Sequence, residues 1–112
     1  MKKLAAVVLG SAMLLVPAIV LSADVDEDAA KRLAKKSGCF KCHAIDKKKD
    51  APSFKKTATK LKGKPDAEKE LYTHLTTNPE VEVDGKKEKH ESPKTKDEAE
   101  IRNLIRWILS QT

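Results

Sequence analysis

Cys39-Phe40-Lys41-Cys42-His43 places two thiols three positions apart, with an imidazole directly behind the second. Thiols at that spacing can each add to one of the two vinyl groups of a haem, and the adjoining histidine is then held at the iron as an axial ligand. Cys-x-x-Cys-His is the attachment signal of a c-type haem. Two other readings of a close cysteine pair have less behind them. A thioredoxin-like redox pair needs a βαβ pattern around it, and none surrounds this one. A disulfide across two residues closes almost no chain and stabilises little. One covalently attached haem c is the expected cofactor, with Cys39 and Cys42 as thioether anchors and His43 as proximal iron ligand.

The rest of the chain has to position that motif with few apolar side chains. Residues 1–23 read as a secretory signal peptide: Met1-Lys2-Lys3 is a positive start, Leu4 to Val20 is almost unbroken apolar chain, and Leu21-Ser22-Ala23 ends on a small residue. The alternative is an uncleaved membrane anchor, although Gly10, Ser11 and Pro17 interrupt the run. Cleavage after Ala23 leaves residues 24–112 as one domain, with 21 basic and 17 acidic side chains and only 17 large apolar ones. A core that small calls for a disulfide, metal or cofactor to complete it. Export points the same way, since free thiols survive poorly outside the cytoplasm. A transporter and a multidomain enzyme are excluded by length alone.

Helical signals frame the motif. Asp26 to Lys36 has acidic residues in front, basic residues behind and a narrow apolar face of Ala29, Ala30, Leu33 and Ala34, with Gly38 as its stop. Residues 46–52 read as a charged loop closed by Pro52, followed by a short helix from Phe54 to Leu61. Asp66 to Thr76 is the third helix, carried by Ala67, Leu71 and Leu75 and ended by Asn78-Pro79. Residues 77–94 read as an irregular loop, in which Val81-Glu82-Val83 alternates but is too short to carry a sheet. Thr95-Lys96-Asp97-Glu98 has the form of a capping box ahead of a final helix striped by Ile101, Leu104, Ile105 and Ile108, with Trp107 and Leu109 on its flanks.

This order of elements resembles the small bacterial class I cytochromes c, especially those that carry electrons to nitrite reductases and oxidases. Cys42-His43-Ala44-Ile45-Asp46, Pro52 with Phe54 two places on, and the ending from Asp97 to Gln111 carry the resemblance, which spans nearly all of residues 24–112. It implies an all-α fold, the class I cytochrome c fold, of about four short helices wrapped around one covalent haem. It also implies that the Pro52 carbonyl accepts from the Nδ1–H of His43, fixing the ring. The first and last helices should cross, bringing Leu33 and Phe40 near Trp107.

At the sixth iron position the sequence departs from that pattern. The family usually supplies a methionine from the loop before the last helix, but Met1 and Met13 both lie in the leader. Lys89-His90-Glu91-Ser92-Pro93 stands in the corresponding place, and neutral imidazole is a good iron ligand. His90 is 47 residues beyond His43, close to the family's usual separation between the two ligands. His90 is therefore the expected distal ligand, giving bis-histidine ligation. His74, at the edge of the third helix's apolar stripe, is its competitor and otherwise a half-exposed surface residue. Lys89 is a third candidate, disfavoured because its ammonium must first lose a proton. Tyr72 either reaches a haem propionate or packs between helices.

Iron closed by two protein ligands suits electron transfer, and no second catalytic constellation is present, so the expectation is a non-enzymatic, periplasmic one-electron carrier. The alternative is a haem-based sensor or gas binder with an open or displaceable sixth position. Lysines cluster in the motif and ligand-loop segments (Lys47, Lys48, Lys49, Lys86, Lys87 and Lys89 among them), which is either ordinary solvated surface or a docking face for acidic redox proteins. A monomer is expected, without nucleic acid and without membrane attachment once the leader is removed.

Overall fold

Side-chain capping marks the start of three of the four α-helices described in the computed structural model, and Asp66 makes no such bond ahead of the helix at Ala67–Thr76. The structure describes residues 5–7, 9–15 and 24–112, so the leader expected at 1–23, with its cleavage point at Ala23, lies partly outside the described residues. No helix among the described residues is long and apolar enough to cross a membrane.

Helix α1 spans Glu27–Lys36, and the Asp26 carboxylate caps it by accepting from the Ala29 N–H. Its end is closed by Ser37 and by Gly38, whose φ of 77° is the left-handed conformation that glycine adopts without steric cost. A single 3₁₀ turn, Cys39–Lys41, follows at once. Helix α2, Phe54–Leu61, is capped by the Ser53 hydroxyl on Lys56 N–H. Helix α3 is Ala67–Thr76 and helix α4 is Glu98–Leu109.

Leu104, Ile105 and Trp107 of α4 are the largest fully buried side chains, and α1, α2 and α3 all pack on that helix. Asn103 of α4 holds the start of α1 by both main-chain polar groups of one residue, accepting from Asp26 N–H and donating to Asp26 C=O. Phe40 meets Trp107 edge to face with ring centres 6.4 Å apart, as the crossing of first and last helices requires. Glu68 of α3 pairs with Arg106, and Arg102 lies 4.8 Å over the Tyr72 ring, so Tyr72 is engaged in packing between α3 and α4.

Two expectations need correction. Residues 77–94 are not an irregular loop throughout: β1 (Glu80–Val83) and β2 (Lys86–Lys89) form an antiparallel hairpin. Short as it is, the segment carries a two-stranded sheet, because a hairpin needs only the right turn. Asp84 and Gly85 both have positive φ, the type I′ turn that Asp-Gly favours. Thr95 does not cap α4. Its hydroxyl accepts from Asp97 N–H and bonds to Glu100, so the Asp97 carboxylate caps the helix through Ala99 N–H.

Candidate haem-binding site

The motif leaves α1 through Gly38 and is then clamped to the chain ahead of α2. Ala51 N–H donates to Cys42 C=O, Phe54 N–H to Ala44 C=O and Lys55 N–H to Ile45 C=O. This pairing sets the Pro52 carbonyl 2.7 Å from His43 Nδ1, leaving Nε2 as the free ring nitrogen. Phe54 stacks on the His43 ring at 5.1 Å with planes 20° apart. Ring rotation is thus fixed by a hydrogen bond at one edge and an aromatic face at another. Cys39 and Cys42 are both free thiols and half-buried. Burial pushes the Cys39 thiol pKa up, and the Glu91 carboxylate nearby adds to the effect.

The hairpin delivers a second imidazole. Its register pairs Glu80 with Lys89, and the next rung is His90 N–H donating to Pro79 C=O at 2.8 Å. Asn78 Nδ2 donates to His90 C=O at 2.9 Å, so both polar groups of the His90 main chain are held from residues 78 and 79. Beyond His90, Lys94 N–H donates to the buried hydroxyl of Ser37, tying the loop to the end of α1.

The His90 ring centre lies 6.3 Å from that of His43, with planes 57° apart. His74 also comes to the site: its ring centre is 4.5 Å from that of His90. With His74 turned towards the site, Leu75 is buried and Leu71 is half-buried. Burial, then the neighbouring His74 and His43, lowers the His90 pKa, opposed by the Glu91 main chain and carboxylate. Burial, then His43, lowers that of His74. Both imidazoles are therefore held towards the neutral form, the form that binds metal.

Sequence reasoning missed four residues here. Asn78 and Pro79 read only as a helix terminator, although Asp-Gly flanked by alternating residues was a usable hairpin signal. Ser37 carries no sequence signal for its bond 57 residues away. Lys49, counted with the surface lysines, donates from Nζ to Phe40 C=O at 2.7 Å and braces the motif from outside.

Residues 27–112 match the family model described as cytochrome c. The chain is 38% identical over 79 residues to cytochrome c-551 of Pseudomonas aeruginosa, covering 70% of this chain and 73% of that protein. Among solved structures, the class 1 cytochrome MtoD of Sideroxydans lithotrophicus ES-1 superposes with a TM-score of 0.75 at 47% identity, over 79% of this chain and 98% of that one. Cytochrome c552 of Nitrosomonas europaea gives 0.57 at 26% identity, over 73% of this chain and 99% of that one.

Proposed function

The chain belongs to the cytochrome c family, and from that membership we propose that it is an exported, periplasmic monohaem electron carrier whose iron is closed by His43 and His90. Proteins of the family bind one covalent haem c, and its small class I members carry electrons and are not enzymes. Export is proposed to follow from a leader cleaved after Ala23.

The residues present fit that group. Two imidazoles on opposite sides of one metal, each about 2.0 Å from it through a ring nitrogen, have ring centres about 6 Å apart. The 6.3 Å between His43 and His90 is the observation that carries the proposal. Among the described residues His90 Nδ1 is buried without a hydrogen-bond partner. Cys39 and Cys42 would hold the haem through thioether bonds, and the bound haem supplies a one-electron Fe(III)/Fe(II) couple. The protein's own work is positional: the Pro52 carbonyl raises the basicity of His43 and fixes its ring, while the hairpin holds the His90 main chain. Exposed lysines on β2 and in the loop at 47–49 are proposed to recruit acidic redox partners to a monomeric carrier.

One asymmetry favours a second reading, a haem-based sensor or gas binder. His43 has an acceptor behind it and His90 has none, so the distal bond is the one a small ligand would displace. Ferric-state spectroscopy of His90→Ala and His74→Ala tests the ligand set. High-spin iron in the first variant and low-spin iron in the second are expected; the reverse would move the ligand to α3.

A further inference from the structure

His74 has no task in this ligand set, yet its ring is nearer to His90 than the ring of His43 is, at 4.5 Å against 6.3 Å. The helix that carries it is firmly placed. Leu75 is buried in the core beside it, and α3 is joined to α4 through Glu68–Arg106 and Arg102–Tyr72. The hydrogen bonds that hold His90 act only on its main chain. Its Nδ1 has no partner among the described residues, and rotation of a histidine ring about its last side-chain bond is otherwise soft. Something other than a hydrogen bond must set the orientation of that ring, and the imidazole of His74 lies against it with planes 55° apart.

We propose that His74 is a positioning residue for the distal imidazole, a wall whose packing sets the angle between the ring planes of His90 and His43. The proposal rests on His90 being the iron ligand. The angle is 57° in the structure, between parallel and perpendicular. In a low-spin ferric centre with two axial imidazoles, the relative orientation of the ring planes governs how the iron d orbitals split. That splitting is read directly from the g values of the paramagnetic resonance spectrum. Because no hydrogen bond joins the two rings, shape alone is the active property, and an aromatic ring without nitrogen serves as well as imidazole.

The test is the ferric resonance spectrum of the haem-loaded protein, with the potential measured alongside, for wild type, His74→Ala and His74→Phe. Wild type gives one narrow low-spin signal. His74→Ala remains low-spin, but its largest g value shifts and broadens as the His90 ring gains freedom, and the potential moves with it. His74→Phe returns both to wild-type values. An unchanged signal in His74→Ala overturns the proposal and leaves the ligand assignment standing. A His74→Phe spectrum as altered as that of His74→Ala also overturns it, by assigning His74 a polar role. A wild-type protein that is high-spin overturns the ligand assignment and the proposal together.

Discussion

The His43 ring has a carbonyl behind it and the His90 ring, 6.3 Å away, has none. In the proposed ligand set the two imidazoles would be unequal donors: a hydrogen bond from Nδ1–H to an acceptor orients a ligand and raises its basicity, and among the described residues only His43 receives that support. The proximal bond should outlast the distal one under every perturbation that weakens either.

Ligand exchange at position 90 should move the redox potential in a known direction. Methionine opposite histidine raises the potential of a c-type haem, because a second imidazole is the better donor to ferric iron. Wild type is expected below His/Met relatives of similar burial, and His90→Met above wild type, in a potentiometric titration of both proteins. A lower potential in a coordinated His90→Met variant would count against imidazole at this position.

The register of the hairpin should matter more than its stability. Inserting one alanine between Asp84 and Gly85 shifts the rungs beyond the turn, and a one-residue slip turns every side chain to the opposite face. His90 would then lose its place on the rung with Pro79. Loss of the low-spin ferric spectrum with helical circular dichroism retained is the expected pair of results.

Much of this arrangement was legible in the sequence, and the remainder was hidden for identifiable reasons. The four helices follow from apolar spacing, helped at three of them by a capping Asp or Ser, signals that act within a few residues, and the haem motif is a local pattern. Pro52 and His43 were also linked in advance through the family resemblance, and they stand 2.7 Å apart. The hairpin is harder to read, because Val81 and Val83 are too few to signal a strand by alternation and the pairing depends on the turn at Asp84-Gly85. The approach of His74 to His90 could not be read at all, since it depends on how α3 lies against the loop from 77 to 94.

Acid should weaken the fold through His74. Its pKa is lowered mainly by burial, so below the ordinary value of about 6.5 the unfolded chain takes up a proton that the folded chain refuses. The contribution of His74 to stability is intact above that value and is lost as pH falls through the folded pKa. Thermal midpoints measured from pH 8 to pH 4 should therefore fall less steeply for His74→Phe than for wild type, and parallel curves would contradict the prediction.

The core under the site should be intolerant of truncation. Trp107 is 1% exposed and touches both Phe40 and Phe54, the latter stacked on His43. Trp107→Ala is expected to cost about 3–5 kcal/mol in denaturant unfolding. Trp107→Phe should cost much less, since it keeps most of the ring volume.

Partner encounter should depend on salt. Exposed lysines steer association through fields screened over about 8 Å at physiological ionic strength. Stopped-flow electron transfer with an acidic redox partner is expected to slow as salt rises, and more weakly so in a Lys86→Gln, Lys87→Gln, Lys89→Gln variant. A wild-type rate indifferent to salt would remove steering from the account.

Closure of the iron by two protein imidazoles separates a carrier from a sensor, and carbon monoxide tests it most directly. The optical spectrum of the reduced wild-type protein is recorded before and after the gas is added. The account predicts an unchanged spectrum in wild type and ready complex formation in His90→Ala. Prompt carbon monoxide binding by the wild-type protein would contradict it.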